Sequence, residues 1–150
     1  MATASTTKAA AGGSALFGLL FIHSHVVRPI DDAVERAHQT NLTGFELLLR
    51  LENLPEGASV RYLSDQVVIS PSRVSRVADD LVRRGLLERA ASVHDGRLSL
   101  VRLTDAGRDA TAAIQNTFLQ AVSEHFTDRL TAAQIDAVAE VAQALGAPHC

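Results

Sequence analysis

Three features of this sequence predict a mainly α-helical domain with a small two- to three-stranded β wing. The first is SPSRVSRVADDLVRRG at 70–85, which reads as a short helix with a serine cap, two early arginines and a glycine stop. The second is LLERAASVHDGRLSLVRL at 86–103, which reads as two strands around an Asp95-Gly96 turn. The third is a pair of long apolar stripes at helical spacing, one on either side of these segments. A helix, a tight turn, a second helix and a hairpin in that order make a winged helix-turn-helix. Here it is flanked by N- and C-terminal helices.

The elements follow in chain order. MATASTTKAAAGGS opens the chain as a low-complexity stretch, and residues 1–13 are expected to be a disordered tail. ALFGLLFI at 15–22 superficially resembles a short signal sequence, but it is too short to span a bilayer. His23, His25 and Arg28 stand where a small-residue cleavage site would be needed. The run is therefore read as one face of a helix, with no membrane partner. Leu16, Leu19, Leu20, His23, Val27, Ile30 and Val34 extend that face, and Pro29 should kink or split the helix. Thr43 and Glu46 suggest a capping box at the next helix, which Pro55-Glu56-Gly57 ends. A short helix over 60–68 follows Ser59 as a candidate cap. Ser70 caps the next helix, with Pro71 at its first position, and Gly85 supplies a left-handed stop after Arg83 or Arg84. Strands are expected over 86–91 and 97–103. Thr104 caps a long helix, and Thr131 with Gln134 forms a capping box for the last one.

Length and composition narrow the class. A chain of 150 residues, 47% hydrophobic and 21% charged, suits one domain with a sizeable core. Aromatics make up 4% and there is no Trp, which excludes a ring-stacking platform for single-stranded nucleic acid. The single cysteine, Cys150, permits no intramolecular disulfide and fits a reducing, cytoplasmic setting. The net charge of −3 is unevenly spread. Residues 70–102 hold seven arginines against four acidic residues, a net of +3; the remainder holds seven basic and thirteen acidic residues, a net of −6. A basic patch on an acidic body can hold phosphates while discouraging indiscriminate binding.

At residues 42–107 the chain resembles the MarR family of transcription regulators. The resemblance rests on LTGFELLLRL, on Leu63 and Ile69-Ser70-Pro71-Ser72, on RVSRVADDLVRRGLLER, and on HDGR followed by LVRLTDAG. Asp95-x-Arg97 with Leu103-Thr104-x-x-Gly107 is its most specific part. There are departures. Arg61 stands where the family often has a Ser or Thr cap, Gly96 replaces a common second wing arginine, and Arg73 replaces a small residue. The resemblance implies a single MarR-like domain over 14–150. In it, 14–40 and 108–150 serve as dimerisation helices and 41–107 is the DNA-binding lobe. The long stripes point the same way, since a small monomer has too little core to cover both; packing within one chain is the alternative.

These readings give a homodimeric, sequence-specific regulator that binds double-stranded DNA at a pseudo-palindromic operator. Phosphate contacts supply affinity and base edges supply specificity. Ser70, Ser72, Arg73, Ser75 and Arg76 lie in the first turns of the helix that would enter the major groove. Either Arg73 or Arg76 can donate two hydrogen bonds to guanine, and the serines suit phosphate. Ser75 and Arg76 match the family's Thr/Ser-Arg pair. Arg97 at the wing tip would enter a minor groove, with Asp95 as its positioning partner within an ordinary turn. Arg83 and Arg84 read more simply as a solvated helix C-terminus favoured by the dipole than as DNA contacts.

The resemblance further implies a repressor relieved by a small lipophilic or phenolic effector, bound between the dimerisation helices and the DNA-binding lobe. The effector's residues are not specified by the sequence. His23, a weak candidate, fits a core or interface role better. No metal or cofactor is expected: His23 and His25 diverge on a helix, the long helix after the wing lacks an H-x-x-x-H pair, and His125 stands alone. Redox sensing is disfavoured because no cysteine lies near the first helix. Two other classes were weighed. An enzyme would need a nucleophile–base set or a phosphate loop, and neither stands out. A winged-helix protein-interaction module would need an apolar recognition face, whereas this one carries Ser72, Arg73, Ser75 and Arg76.

Overall fold

The computed structural model describes residues 2–67, 70–91 and 99–147. Asp95, Arg97 and Cys150 lie outside the described residues. The chain opens with α1 (Ala2–Ile22), a single π-helical turn (His23–Val27) and α2 (Arg28–His38). Next come α3 (Leu42–Glu52), α4 (Val60–Gln66) and α5 (Pro71–Arg83). The hairpin β1 (Leu87–Ala91) and β2 (Ser99–Leu103) leads into α6 (Asp105–His125), a 3-10 turn (Thr127–Arg129) and α7 (Ala132–Ala144).

Pro29 splits the α-helix as the sequence predicts, through a π turn rather than a gap: α1 ends at Ile22, the π turn follows, and Pro29 stands in the first turn of α2. Its ring crowds the preceding turn and removes a donor, and the wide turn just before it absorbs both effects. Arg28 N–H bonds to the His23 carbonyl, five residues back. The helix also runs back through residues 2–13, expected to be an unstructured tail, because that stretch is rich in alanine, the best helix former. The result is a longer helix than the apolar run suggested. Its segment Ala9–His38 has the length and apolarity of a membrane-crossing helix. An apolar helix covered by another protein chain meets the same criteria. Its last third is a core element: Ile30 and Val34 are buried, while Asp31, Asp32, Glu35 and Arg36 occupy the other positions.

α3 begins two residues before the expected Thr43-Glu46 box. Asn41 is its cap, accepting from Gly44 N–H at 3.0 Å. Asp31 of α2 accepts from Leu42 N–H at 2.6 Å. Glu46 instead pairs with Arg50 at 2.9 Å. The other caps follow the sequence. Ser59 Oγ accepts from Tyr62 N–H, Thr104 Oγ1 from Gly107 N–H, and Thr131 and Gln134 cap each other. Ser70 holds the cap position of α5, but through its backbone: its carbonyl accepts from Arg73 and Val74, and its side chain makes no cap bond.

The core lies among α2, α3, α5, the hairpin and the first half of α6. Leu47, Leu48 and Leu51 of α3, Val74 and Leu81 of α5, Leu87 and Val101 of the hairpin, and Ile114 of α6 are fully buried in it. Phe45 and Phe118 meet with ring centroids 5.3 Å apart. The strands are antiparallel, with Leu87 opposite Leu103 and Arg89 opposite Val101. Ala58 adds one bridge to Val101, a minimal third strand. At the hairpin's base Gly107 is required for close approach: a Cβ there would run into the Leu86 carbonyl oxygen.

Outside this core the terminal helices are largely bare. Leu16, Phe17, Leu20 and Phe21 of α1 are each more than half exposed, and α7 buries nothing.

Candidate nucleic-acid interface

α5 is amphipathic because Val74, Ala78 and Leu81 recur at spacings of four and three, and all three are buried. That fixes its rotation. Ser70, Ser72, Arg73 and Arg76 are then exposed and Ser75 half-buried, so the face singled out from the sequence is a surface. It lies along the N-terminal half of the helix. Ser70 and Ser72 hydroxyls are 3.3 Å apart, and Arg76 Nε donates to the Ser72 carbonyl at 3.4 Å.

The lobe's charges sort themselves in space. Arg83 pairs with Asp80 at 2.9 Å, Arg84 approaches the same carboxylate at 3.8 Å, and Arg102 pairs with Glu88 at 2.6 Å across the hairpin. Arg89 of β1 pairs with Asp79 of α5, tying the wing to the helix. Four of the basic residues that gave the patch its sign therefore face three nearby carboxylates, Arg83 and Arg84 sharing Asp80. Among the described residues, Arg73 and Arg76 make no ion pair. The free positive charge sits where a groove-reading helix needs it.

Arg84 departs from its sequence reading. It is no solvated helix terminus: its guanidinium crosses to α2 and donates to the carbonyls of Gln39 at 2.6 Å and His38 at 2.8 Å. Neither this contact nor the cleft beside it was singled out from the sequence. That cleft, about 450 Å³, runs between the end of α2 and α5 and is lined by Glu35, Gln39, Thr40, Asn41, Arg73, Arg76, Val77 and Asp80. The only local hint was Arg73 itself, as an unusual residue on the recognition helix. A second cleft of about 490 Å³ lies between α2 and α6, lined by residues including Asp32, Arg36, Glu124 and His125. His23 is exposed in the π turn and lines neither cleft. Among the described residues no cluster of three or more His, Cys, Asp or Glu side chains is arranged to hold a metal ion.

A helix-turn-helix with a charged recognition face and a two-stranded wing is the frame that the comparisons match. The MarR family model matches residues 38–98, which span α3, α4, α5 and β1. Over that segment the chain matches the MarR family. The chain is 27% identical over 105 residues to the HTH-type transcriptional regulator YwhA of Bacillus subtilis (strain 168), covering 70% of this chain and 73% of that one. Its fold is that of Sco3205 from Streptomyces coelicolor, a MarR family transcriptional regulator solved in complex with DNA. The two share a TM-score of 0.81 and 21% identity, over 89% of this chain and 87% of that one. CouR from Rhodococcus jostii RHA1, solved with p-coumaroyl-CoA, is similar with a TM-score of 0.76 and 19% identity, over 89% and 92% of the two chains. The fold is thus that of a MarR-type winged helix-turn-helix, and its central lobe is similar to MarR-family transcription regulators.

Proposed function

We propose that this regulator works as a homodimer that reads a pseudo-palindromic operator and represses until a small effector releases it. Arg73 and Arg76, exposed on α5 with no acid partner among the described residues, carry the reading. In it, Arg76 or Arg73 contacts guanine and the hydroxyls of Ser70, Ser72 and Ser75 contact phosphates. Arg97, aligned by Asp95, enters the flanking minor groove. Residues 41–107 form the reading lobe, while 14–40 and 108–150 pair with their copies in a second chain. The bare apolar faces of α1 and α7 support that pairing. An operator-binding role implies a cytoplasmic location.

The effector site that fits best is the cleft between α2 and α5. At about 450 Å³ it has the size of a small-molecule site. Two guanidinium groups, Arg73 and Arg76, and two carboxylates, Glu35 and Asp80, beside Val77 suit a polar ligand that carries both an acidic group and hydrogen-bond donors. A ligand there would occupy Arg73 and Arg76 and so favour the DNA-free state. CouR, a relative in fold, is bound to an aromatic acyl-CoA, which is compatible with a ligand of this type.

The test is selection of bound duplex fragments from the source genome, with sedimentation of the free protein in parallel. Enrichment of an inverted repeat, with half-sites about one helical turn apart, and a two-chain mass are expected. A monomer that ignores duplex DNA at low salt would end the proposal.

A further inference from the structure

We infer that Arg84 is a positioning residue for DNA reading: it is the strut that fixes the angle between the recognition helix α5 and the dimerisation helix α2. The inference rests on the DNA-binding reading proposed above, but its geometry is separate from the reading face. Arg84 stands at the C-terminal end of α5, away from Arg73 and Arg76 at the other end.

The two helices share one core but pack mainly on different neighbours. α5 packs mainly on α4, α3 and β1, whereas α2 packs mainly on α6. Arg84 bridges them. One guanidinium donates through Nη1 to the Gln39 carbonyl and through Nη2 to the His38 carbonyl. These are the last residue of α2 and its cap, where helix carbonyls lack partners and the dipole is negative. A planar cation with two parallel donors is matched to that end. The receiving side is rigid. Gln39 is in the left-handed conformation at φ 55°, His38 Nε2 lies 2.7 Å from Thr117 Oγ1 of α6, and Asp31 holds the Leu42 N–H just beyond. The donor side is steadied by Asp80, 3.8 Å from Nη1.

Arg83 supplies an internal control. It adjoins Arg84 and carries the same charge, yet its side chain is 75% exposed against 28% and among the described residues it bonds only to Asp80 of its own helix. Any long-range attraction to DNA is nearly equal for the two.

The experiment compares Arg84→Gln, Arg84→Lys and Arg83→Gln with the unsubstituted dimer. Affinity is measured for the selected operator and for operators with half-site spacing changed by one base pair, over a range of salt. Arg84→Gln should lose about tenfold or more on the operator. It should discriminate spacing less and keep the slope of log affinity against log salt, since no phosphate contact is lost. Arg84→Lys should lie between, and Arg83→Gln should stay within about twofold of the parent. The inference is overturned if Arg84→Gln behaves as Arg83→Gln does, or if its salt slope falls by about one per protomer, the mark of a phosphate contact. Should Arg84→Gln not fold, Arg84→Lys decides by the same criteria.

A DNA-free readout separates this inference from the reading beneath it. Spin labels at Ala37→Cys on α2 and Ser72→Cys on α5, in a Cys150→Ser background diluted with unlabelled chains, report the angle within one chain. The distance distribution should broaden in Arg84→Gln and not in Arg83→Gln. If the parent protein binds no duplex, the DNA reading fails while this measurement still judges the strut. An unbroadened distribution would overturn the strut even where DNA binding holds.

Discussion

Arg76→Ala isolates the charge proposed to carry DNA binding, and its effects on stability and affinity can be worked out separately. Arg76 is exposed, and its only bond among the described residues is a long one to the Ser72 carbonyl at 3.4 Å. Truncation leaves no buried acid unpaired, so the folding change should stay within about 0.5 kcal/mol, as for an ordinary surface site. The binding change is larger. A bidentate arginine–guanine contact contributes about 1–3 kcal/mol of discrimination, and a symmetric dimer loses two such contacts, about 2–6 kcal/mol together. At about 1.4 kcal/mol per decade this is a loss of roughly 30-fold to 20,000-fold. Fluorescence anisotropy on a labelled operator at fixed salt measures it, with thermal unfolding and sedimentation run alongside. Affinity unchanged in a folded dimer would refute the assignment of the reading face. A loss accompanied by a large drop in melting temperature would refute the claim that Arg76 is free of structural duty.

Three further predictions follow from the same geometry. Arg97→Ala should weaken operator binding and lower the salt slope by about one unit per protomer, measured by the same anisotropy titration; an unchanged slope would take the wing residue off the phosphates and the minor groove. Gly107→Ala should destabilise folding by about 1–3 kcal/mol, because its methyl meets the Leu86 carbonyl at the base of the hairpin; a denaturant midpoint equal to the parent's would contradict that. Leu20→Asp, at a side chain 57% exposed in the single chain, should leave the lobe folded but yield monomers in sedimentation and weak operator binding. A variant that still sediments as a dimer would remove α1 from the proposed interface.

The lobe was legible because its signals are local. Ser59, Thr104 and the Thr131–Gln134 pair cap their own helices, and each contact spans only three residues. The rotation of α5 followed from Val74, Ala78 and Leu81 alone. Legibility ended where a distant group decides between local options. Thr43-x-x-Glu46 is a good capping box, but Asn41 is an equally good cap two residues earlier. The Asp31 carboxylate, eleven residues upstream, accepts Leu42 N–H within the earlier start. Arg84 is the same lesson at longer range. The reasoning that a helix C-terminus favours it was correct in kind, but the terminus it meets is that of α2, 45 residues earlier. No periodicity or motif encodes which of two negative helix ends a long side chain will reach.

The strut changes what the long N-terminal helix means. α1, the π turn and α2 comprise 21, 5 and 11 residues without a break, which makes a rod of 37 residues about 55 Å long. In the proposed dimer the apolar end of that rod, Leu16 to Phe21, lies against the partner, while the other end is gripped by Arg84. The stretch from Ile22 to His38 is about 24 Å, so a tilt of about 5° moves the gripped carbonyls by about 2 Å. That displacement is comparable with the 2.6 Å and 2.8 Å hydrogen bonds themselves. The recognition helix must then either travel with α2 or lose its brace, and either outcome misaligns paired recognition helices that must match grooves one helical turn apart. An effector in the cleft beside Arg73 and Arg76 would act at the same joint from inside, prying α5 from α2. Subunit pairing and effector binding would therefore converge on one contact, and the dimer interface would set DNA affinity without touching DNA.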